Sequence, residues 1–433
     1  MVKDSLKRRK ESHGVVKSSK PRLWQALGPG LITGAADDDP SGIATYSQAG
    51  AAFGYNILWT LLLTYPLMVA IQIVSAQIGR VSGHGLATNI RRHYPAWLLY
   101  SAVILLLVAN TINIAADLTA MGAAVNLVVG GPTHIYTLGL ALFSLVLQVF
   151  IPYQRYVRVL KWLTLVLFAY VGVVFAVQIP WTTVAIRTVF PHLSWNGGYV
   201  TTVVAVFGTT ISPYLFFWQA SQEVEELQAR HGQRALKHAP SQGASNLKRI
   251  KFDTWIGMGF SNLIAFFIVL ATAATLHAHH ITDIETTSQA ASALKPIAGQ
   301  FAFLLFSIGI IGTGLLALPV LAGSAAYAMA GTFEWKNSLE LAPKLAKRFY
   351  GIIILATVVG LALDFTSIDP IKALFWSAVI NGITSFPIMV LMMKMASNPS
   401  IMGKFAISGR LRVVGWLATA VMAAAVVGMF CFL

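Results

Sequence analysis

The chain of 433 residues has one cysteine, Cys431, and only 11% charged residues. A single thiol excludes a disulfide framework and a thiolate metal cluster. Soluble domains average about 25% charged residues. So low a charge content, beside 56% hydrophobic residues, excludes an ordinary soluble fold. Acidic residues are the scarcer sign, 16 Asp and Glu against 31 Lys and Arg. Separate soluble domains and low-complexity tracts are also missing.

What is present is a series of apolar runs. A crossing helix needs about 20 such residues. Eleven runs qualify, near 28–52, 57–79, 97–122, 134–152, 158–179, 199–223, 254–277, 299–330, 349–363, 370–393 and 411–432. The ninth is the shortest. The chain is read as an all-α membrane protein of eleven transmembrane helices.

The basic residues obey this division. The tail before the first run and every second connection hold 28 of them, and the remaining connections hold Arg187, Lys295 and Lys372. By the positive-inside rule the N-terminus is cytoplasmic and the C-terminus outside. The net charge of +15 is therefore a topology signal and not a nucleic-acid footprint. Residues 1–23 form a polar basic tail ahead of the membrane domain of 24–433, with no small-residue cleavage site behind it. The connection Gln228–Lys251 is expected to be flexible. The lipid bilayer is the expected partner, in a plasma or inner membrane.

The first run is interrupted by Asp37, Asp38, Asp39, Pro40, Ser41 and Gly42. Each charge at a helix centre costs about 2.5–3.5 kcal/mol on insertion scales. Three cannot face lipid, so the segment must line a protein-walled polar cavity. Pro40 removes a helix hydrogen bond and disfavours helical geometry at Asp39. Unwinding over Asp39–Gly42 is expected. The sixth run repeats the pattern at Pro213, after Gly208, Thr209, Thr210 and Ser212. Two broken helices five runs apart point to inverted repeats of about 28–179 and 199–393, with 411–432 as an extra helix. Free carbonyls at the breaks would suit a cation.

Asn110, Asn113 and Asp117 recur at helical spacing in the third run and can share a face. The two Asn could equally join helices, whereas Asp117 is read as part of an ion pathway. Asn381, in the tenth run, lines the cavity or marks a close-packing point. Glu223, Glu225 and Glu226 form either a solvated helix end or an acidic mouth. Asp carboxylates, carbonyls and hydroxyls are hard ligands that suit Mg²⁺, Ca²⁺ or Mn²⁺. The nucleophile–base pair or His–carboxylate metal set of an enzyme is not evident within the membrane. The chain is read as no enzyme, with no cofactor.

The segment "GPGLITGAADDDPSGIATYSQAGAAFGY" resembles the first helix of the Nramp family of divalent-metal transporters. The resemblance implies a LeuT-like inverted-repeat fold. The family's Asp-Pro-Gly-Asn signature falls on Asp39, Pro40, Ser41 and Gly42, and its Met-Pro-His signature on Ser212, Pro213 and Tyr214. Its third-helix pattern matches Ala115, Ala116 and Asp117. Carried over, the metal site is Asp39 with the backbone carbonyls of Ala36 and Thr209, Asp38 beside it, and Ser212 and Gly42 where the family has Met and Asn. Losing the thioether removes a preference for transition metals, and the shorter side chains leave room for a hydrated ion. "DDDPSG" with "TTISPY" resembles the magnesium-transporting branch. The family's proton-coupling positions are Ala120, Tyr214 and Gln219, none of which titrates near neutrality. The implied function is uncoupled Mg²⁺ transport, Mn²⁺ included, with Tyr214 and Gln219 lining the pathway. The rival readings are a proton-coupled Mn²⁺/Fe²⁺ symporter, a trivalent-ion carrier and a non-transporting metal sensor.

Overall fold

The computed structural model describes residues 29–151, 155, 160, 162–230, 232–364 and 369–432. The basic tail and the first residue of the first run, Gly28, lie outside them. The described part is all-helical. Its helices of eight or more residues are α1 (Pro29–Asp37), α2 (Pro40–Phe53), α3 (Trp59–Ser82), α4 (Leu86–His93), α5 (Ala96–Val129) and α6 (Thr133–Phe150). After these come α7 (Phe168–Ala176), α8 (Trp181–Val189), α9 (Gly197–Thr210), α10 (Pro213–Ala229) and α11 (Gly243–Thr275). The series closes with α12 (Ala302–Phe333), α13 (Lys347–Leu363), α14 (Pro370–Ser397) and α15 (Gly409–Phe432).

Eight helical stretches among the described residues are long and apolar enough to cross a membrane unaided. The count of eleven is thus not reached among the described residues, and three expected runs account for the difference. The first is split into α1 and α2. The described part of the fifth, 158–179, holds a 3-10 segment, Leu163–Leu167, and the short α7, and it bends by 120° into α8. The ninth, α13, has 17 residues.

Both breaks are tighter than the sequence implies. Only Asp38 and Asp39 leave the helix in the first run, so Gly42 is helical, and only Ile211 and Ser212 in the sixth. Proline explains this. Its missing N–H matters least at the first helical position, and its fixed φ starts a helix. Pro40 and Pro213 each begin the second half-helix, with Asp39 and Ser212 as caps.

The broken helices sit at the centre. Helix α1 packs on α11, α10 and α12, and α2 on α11, α14, α9 and α5. From Tyr199 to Ser221 every residue of α9, the break and α10 is buried, while α6 and α15 turn apolar faces outward. In lipid, helix association depends on close packing and polar contacts, so small residues gather at crossings. At the α1–α11 crossing a Cβ on Gly34 would overlap the backbone of Gly257. Gly208 meets Ala378 and Gly382 of α14 in the same way. These contacts let main chain lie on main chain beside both breaks.

Candidate functional site

Asp39 lies between the two halves of the first run and is 2% exposed. Its Oδ1 accepts the backbone N–H of Gly42 at 2.6 Å, which caps α2. Its Oδ2 faces α5 and α10, where Asn113 Nδ2 donates from 3.2 Å and the Tyr214 hydroxyl lies 3.4 Å away. The same hydroxyl reaches the Ala36 carbonyl at 3.3 Å. A phenol has one hydrogen, so it serves one of these oxygens at a time. Both distances are long for an O–H···O bond. Oδ2 of Asp39 and the carbonyl of Ala36 thus keep lone pairs for another ligand.

Asn113 extends the site. Its Nδ2 also donates to Asp117 Oδ2 at 3.1 Å, and its Oδ1 accepts from Asn381 Nδ2 at 2.9 Å. Three helices, α5, α14 and the broken run, are joined through this one amide. Asn113 and Asn381 are therefore brought together with Asp39. Asn110 does not: its Nδ2 donates to the Leu321 carbonyl at 2.8 Å and Ser324 Oγ at 2.7 Å, which joins α5 to α12.

Asp37 and Asp38 turn away from Asp39, toward α11. Ser261 Oγ lies 2.6 Å from Asp37 Oδ2 and 3.0 Å from Asp38 Oδ1. Asp38 thus shares a hydroxyl with Asp37 and does not stand beside Asp39 as a ligand. A two-residue break between helices sends successive side chains to different walls. Ser261 had no signal in the sequence beyond being one hydroxyl in an apolar run. Ser41, named in the sequence only as part of the break, meets the Leu374 carbonyl and Ser377 Oγ with its hydroxyl, both at 2.9 Å, and pins α2 to α14.

At the second break the Ser212 hydroxyl donates back to its own helix, to the carbonyls of Gly208 at 2.6 Å and Thr209 at 2.9 Å. The Thr209 carbonyl is therefore engaged here. Gly42 is where the two breaks meet, since a Cβ there would lie 3.2 Å from both the Asp37 carbonyl and Thr209 Oγ1. Gln219 lies farther along α10, where its Oε1 accepts from Thr33 Oγ1 on α1.

Glu223 differs from both readings of its sequence. It is fully buried and paired with Arg249 Nη2 at 2.5 Å, and the same atom lies 2.9 Å from Glu226 Oε2. It is neither a solvated helix end nor an open mouth. Arg249 and Asp253 fell in a stretch expected to be flexible or just outside the seventh run. In fact α11 starts eleven residues before that run, at Gly243. Arg80, on the same basic side by its sequence position, is also buried and donates to Asn246 Oδ1 at 2.6 Å.

Four carboxylates, Asp37, Asp38, Asp39 and Asp117, are thus enclosed in one region, and none forms an ion pair among the described residues. Buried charges call for a partner of opposite sign. No three His, Cys, Asp or Glu side chains converge there as a resident metal site would, again among the described residues. Single carboxylates, carbonyls and amides suit an ion held briefly.

The family profile described as Nramp, natural resistance-associated macrophage protein-like, matches residues 30–431. The chain belongs to the Nramp family. It is 26% identical over 406 residues to the divalent metal cation transporter MntH of Klebsiella pneumoniae, covering 91% of each chain. It is 24% identical over 418 residues to the MntH of Caldanaerobacter subterraneus, covering 92% and 90%. Among solved structures, a manganese transporter of Eremococcus coleocola superposes with a TM-score of 0.71 at 17% identity, covering 94% of this chain and 87% of that one. The nucleobase-cation-symport-1 transporter Mhp1, in a closed conformation, gives 0.51 at 13% identity, covering 94% and 92%. These likenesses bear out the LeuT-like all-helical fold with broken helices. The relatives' names are those of transporters, in agreement with the reading that this Nramp chain is not an enzyme.

Proposed function

We propose that this Nramp chain carries divalent metal cations across a membrane by alternating access, with Asp39 as the central protein ligand. The observation that carries this reading is Asp39 itself. It is a buried carboxylate at a helix break, with one oxygen fixed by its cap and the other turned to the Asn113 amide and the Tyr214 hydroxyl. The Ala36 carbonyl completes the near wall, and the Thr209 carbonyl and Ser212 hydroxyl stand on the opposing break. Asn113, Asn381, Asp117 and Tyr214 would hold the waters of a partly hydrated ion. The first, second, sixth and seventh runs would rock against the rest around this point. We place the protein in the cytoplasmic membrane, N-terminus inside and C-terminus outside, on the distribution of Lys and Arg.

For the cargo, the names of the relatives support Mn²⁺, as in the MntH transporters and the manganese transporter, and this reading has the wider support. A proton-coupled Mn²⁺/Fe²⁺ symporter is its full form. One specific observation favours a second reading, uncoupled Mg²⁺ transport. Asp39 Oδ2 meets the Asn113 amide and the Tyr214 hydroxyl, and Ser212 and Gly42 stand where the family's thioether and amide ligands fall, which takes away that thioether's preference for a transition metal. The experiment is reconstitution into liposomes with Mn²⁺ and Mg²⁺ influx and internal pH followed together, and Asp39→Ala as control. Mn²⁺ entry with acidification and no Mg²⁺ entry selects the symporter. Mg²⁺ entry at constant pH selects the second reading. No flux of either ion, with binding retained, would leave a metal sensor.

A further inference from the structure

Helix α1 is a half-helix of nine residues that carries Asp37 at its end. Something must hold its far end. The first N–H groups of a helix lack intrahelical partners, and here two of them, Gly30 and Leu31, donate to Asp253 of α11. Gly30 N lies 2.7 Å from Asp253 Oδ2, and Leu31 N lies 3.2 Å from Oδ1. The carboxylate is 1% exposed and sits at the positive end of the helix dipole. One turn earlier on α11, Arg249 grips Glu223 and Glu226 of α10. Arg249 Nη1 and Asp253 Oδ2 are 4.0 Å apart, so the two grips touch. A single helix thus holds the outer ends of both half-helices that meet at the candidate site.

From this we infer that Asp253 is a positioning residue that latches α1, and that opening of the site toward this end requires the carboxylate to release Gly30 and Leu31. The inference rests on the alternating-access reading above. The direction follows from the geometry. Main chain meets main chain from Gly34 against Gly257 back to Gly30 against Asp253 and Thr254, and the end of this seam farther from Asp39 is clamped by the Asp253 bonds. Releasing them frees the outer end to swing from α10, where Thr33 now meets Gln219. Arg249 stabilises the closed arrangement by holding α10 to the same point.

The test uses Thr33→Cys in a Cys431→Ser background, because Thr33 is fully buried and Cys431 is the one native thiol. The rate of alkylation by a membrane-impermeant reagent is measured from each side in oriented vesicles, along with Mn²⁺ and Mg²⁺ uptake. Adding Asp253→Asn is expected to raise the rate about tenfold, from the cytoplasmic side only, as loss of a charge-assisted hydrogen bond implies. Leu31→Pro removes one donor while every side chain of the cluster stays in place, and proline is tolerated near a helix start. It is expected to raise the rate in the same direction, and it decides the matter if Asp253→Asn does not fold. Unchanged rates, or equal increases from both sides, overturn the latch. Metal uptake with unchanged alkylation defeats the latch alone. A one-sided rise in a protein that moves neither metal leaves the latch standing and defeats the transport reading.

Discussion

At Asp39 one carboxylate does two jobs, and its two oxygens divide them. Oδ1 caps α2 through Gly42, and Oδ2 faces Asn113 and Tyr214. Asp39→Ala removes both the cap and the ligand, so uptake of metal is expected to be lost in the liposome assay. Asn113→Ala leaves Asp39 in place but takes away the amide that orients it. Partners of this kind are typically worth about 10–100-fold in metal affinity. The KM for the transported ion should rise by that order while the protein still folds, as a concentration series with detergent thermal unfolding would show. Ser212→Met places a thioether at the second break, and soft ligands favour soft ions. Cd²⁺ uptake should rise relative to Mg²⁺ in competition assays; an unchanged ratio would argue that Ser212 does not face the ion.

At the scale of the element, the breaks depend on proline placed where a helix begins, and the crossings depend on glycine. Gly34→Ala puts a methyl group into the backbone of Gly257. Overpacking of this sort costs about 1–3 kcal/mol, so a lower thermal midpoint is expected, along with weaker seating of α1. The same elements show what could be read in advance. Pro40 and Pro213 announced both breaks, because proline's geometry is local. Their extent was misjudged, since the helix restarts at the proline and not after Gly42. The wall that Asp38 faces was also misjudged. Its direction is set by Ser261 on a helix more than 200 residues away, and no local rule reports that distance. Arg249 and Asp253 escaped notice for a related reason. A polar stretch such as "SNLKRIKFD" looks like a connection until burial shows it to be the first turns of α11.

For the whole molecule, the charge distribution makes a claim that can be checked with the native protein. Cys431 is exposed at the end of α15. If the basic side is cytoplasmic, an impermeant maleimide should label Cys431 from outside intact cells; labelling only after permeabilisation would reverse the orientation. An inside-negative potential is worth about 4.6 kcal/mol per divalent ion per 100 mV, twice the single-charge figure. Electrogenic entry without a proton should accordingly accelerate when a potassium-diffusion potential is imposed on liposomes.

By itself the sequence determined what depends on composition and neighbours along the chain. It marked the membrane class, the two interruptions, the acidic character of the first, and the family signatures on Asp39–Gly42 and Ser212–Tyr214. Hydropathy, proline geometry and the cost of charge in lipid act locally, so they are legible residue by residue. Tertiary structure alone decided which polar groups meet. It drew Asn113 and Asn381 to Asp39, sent Asn110 to α12 and Asp38 to α11, and paired Glu223 with Arg249. Those choices rest on helix rotation and on crossings where glycine lets backbones touch, and a shift of one residue around a helix turns a side chain by about 100°.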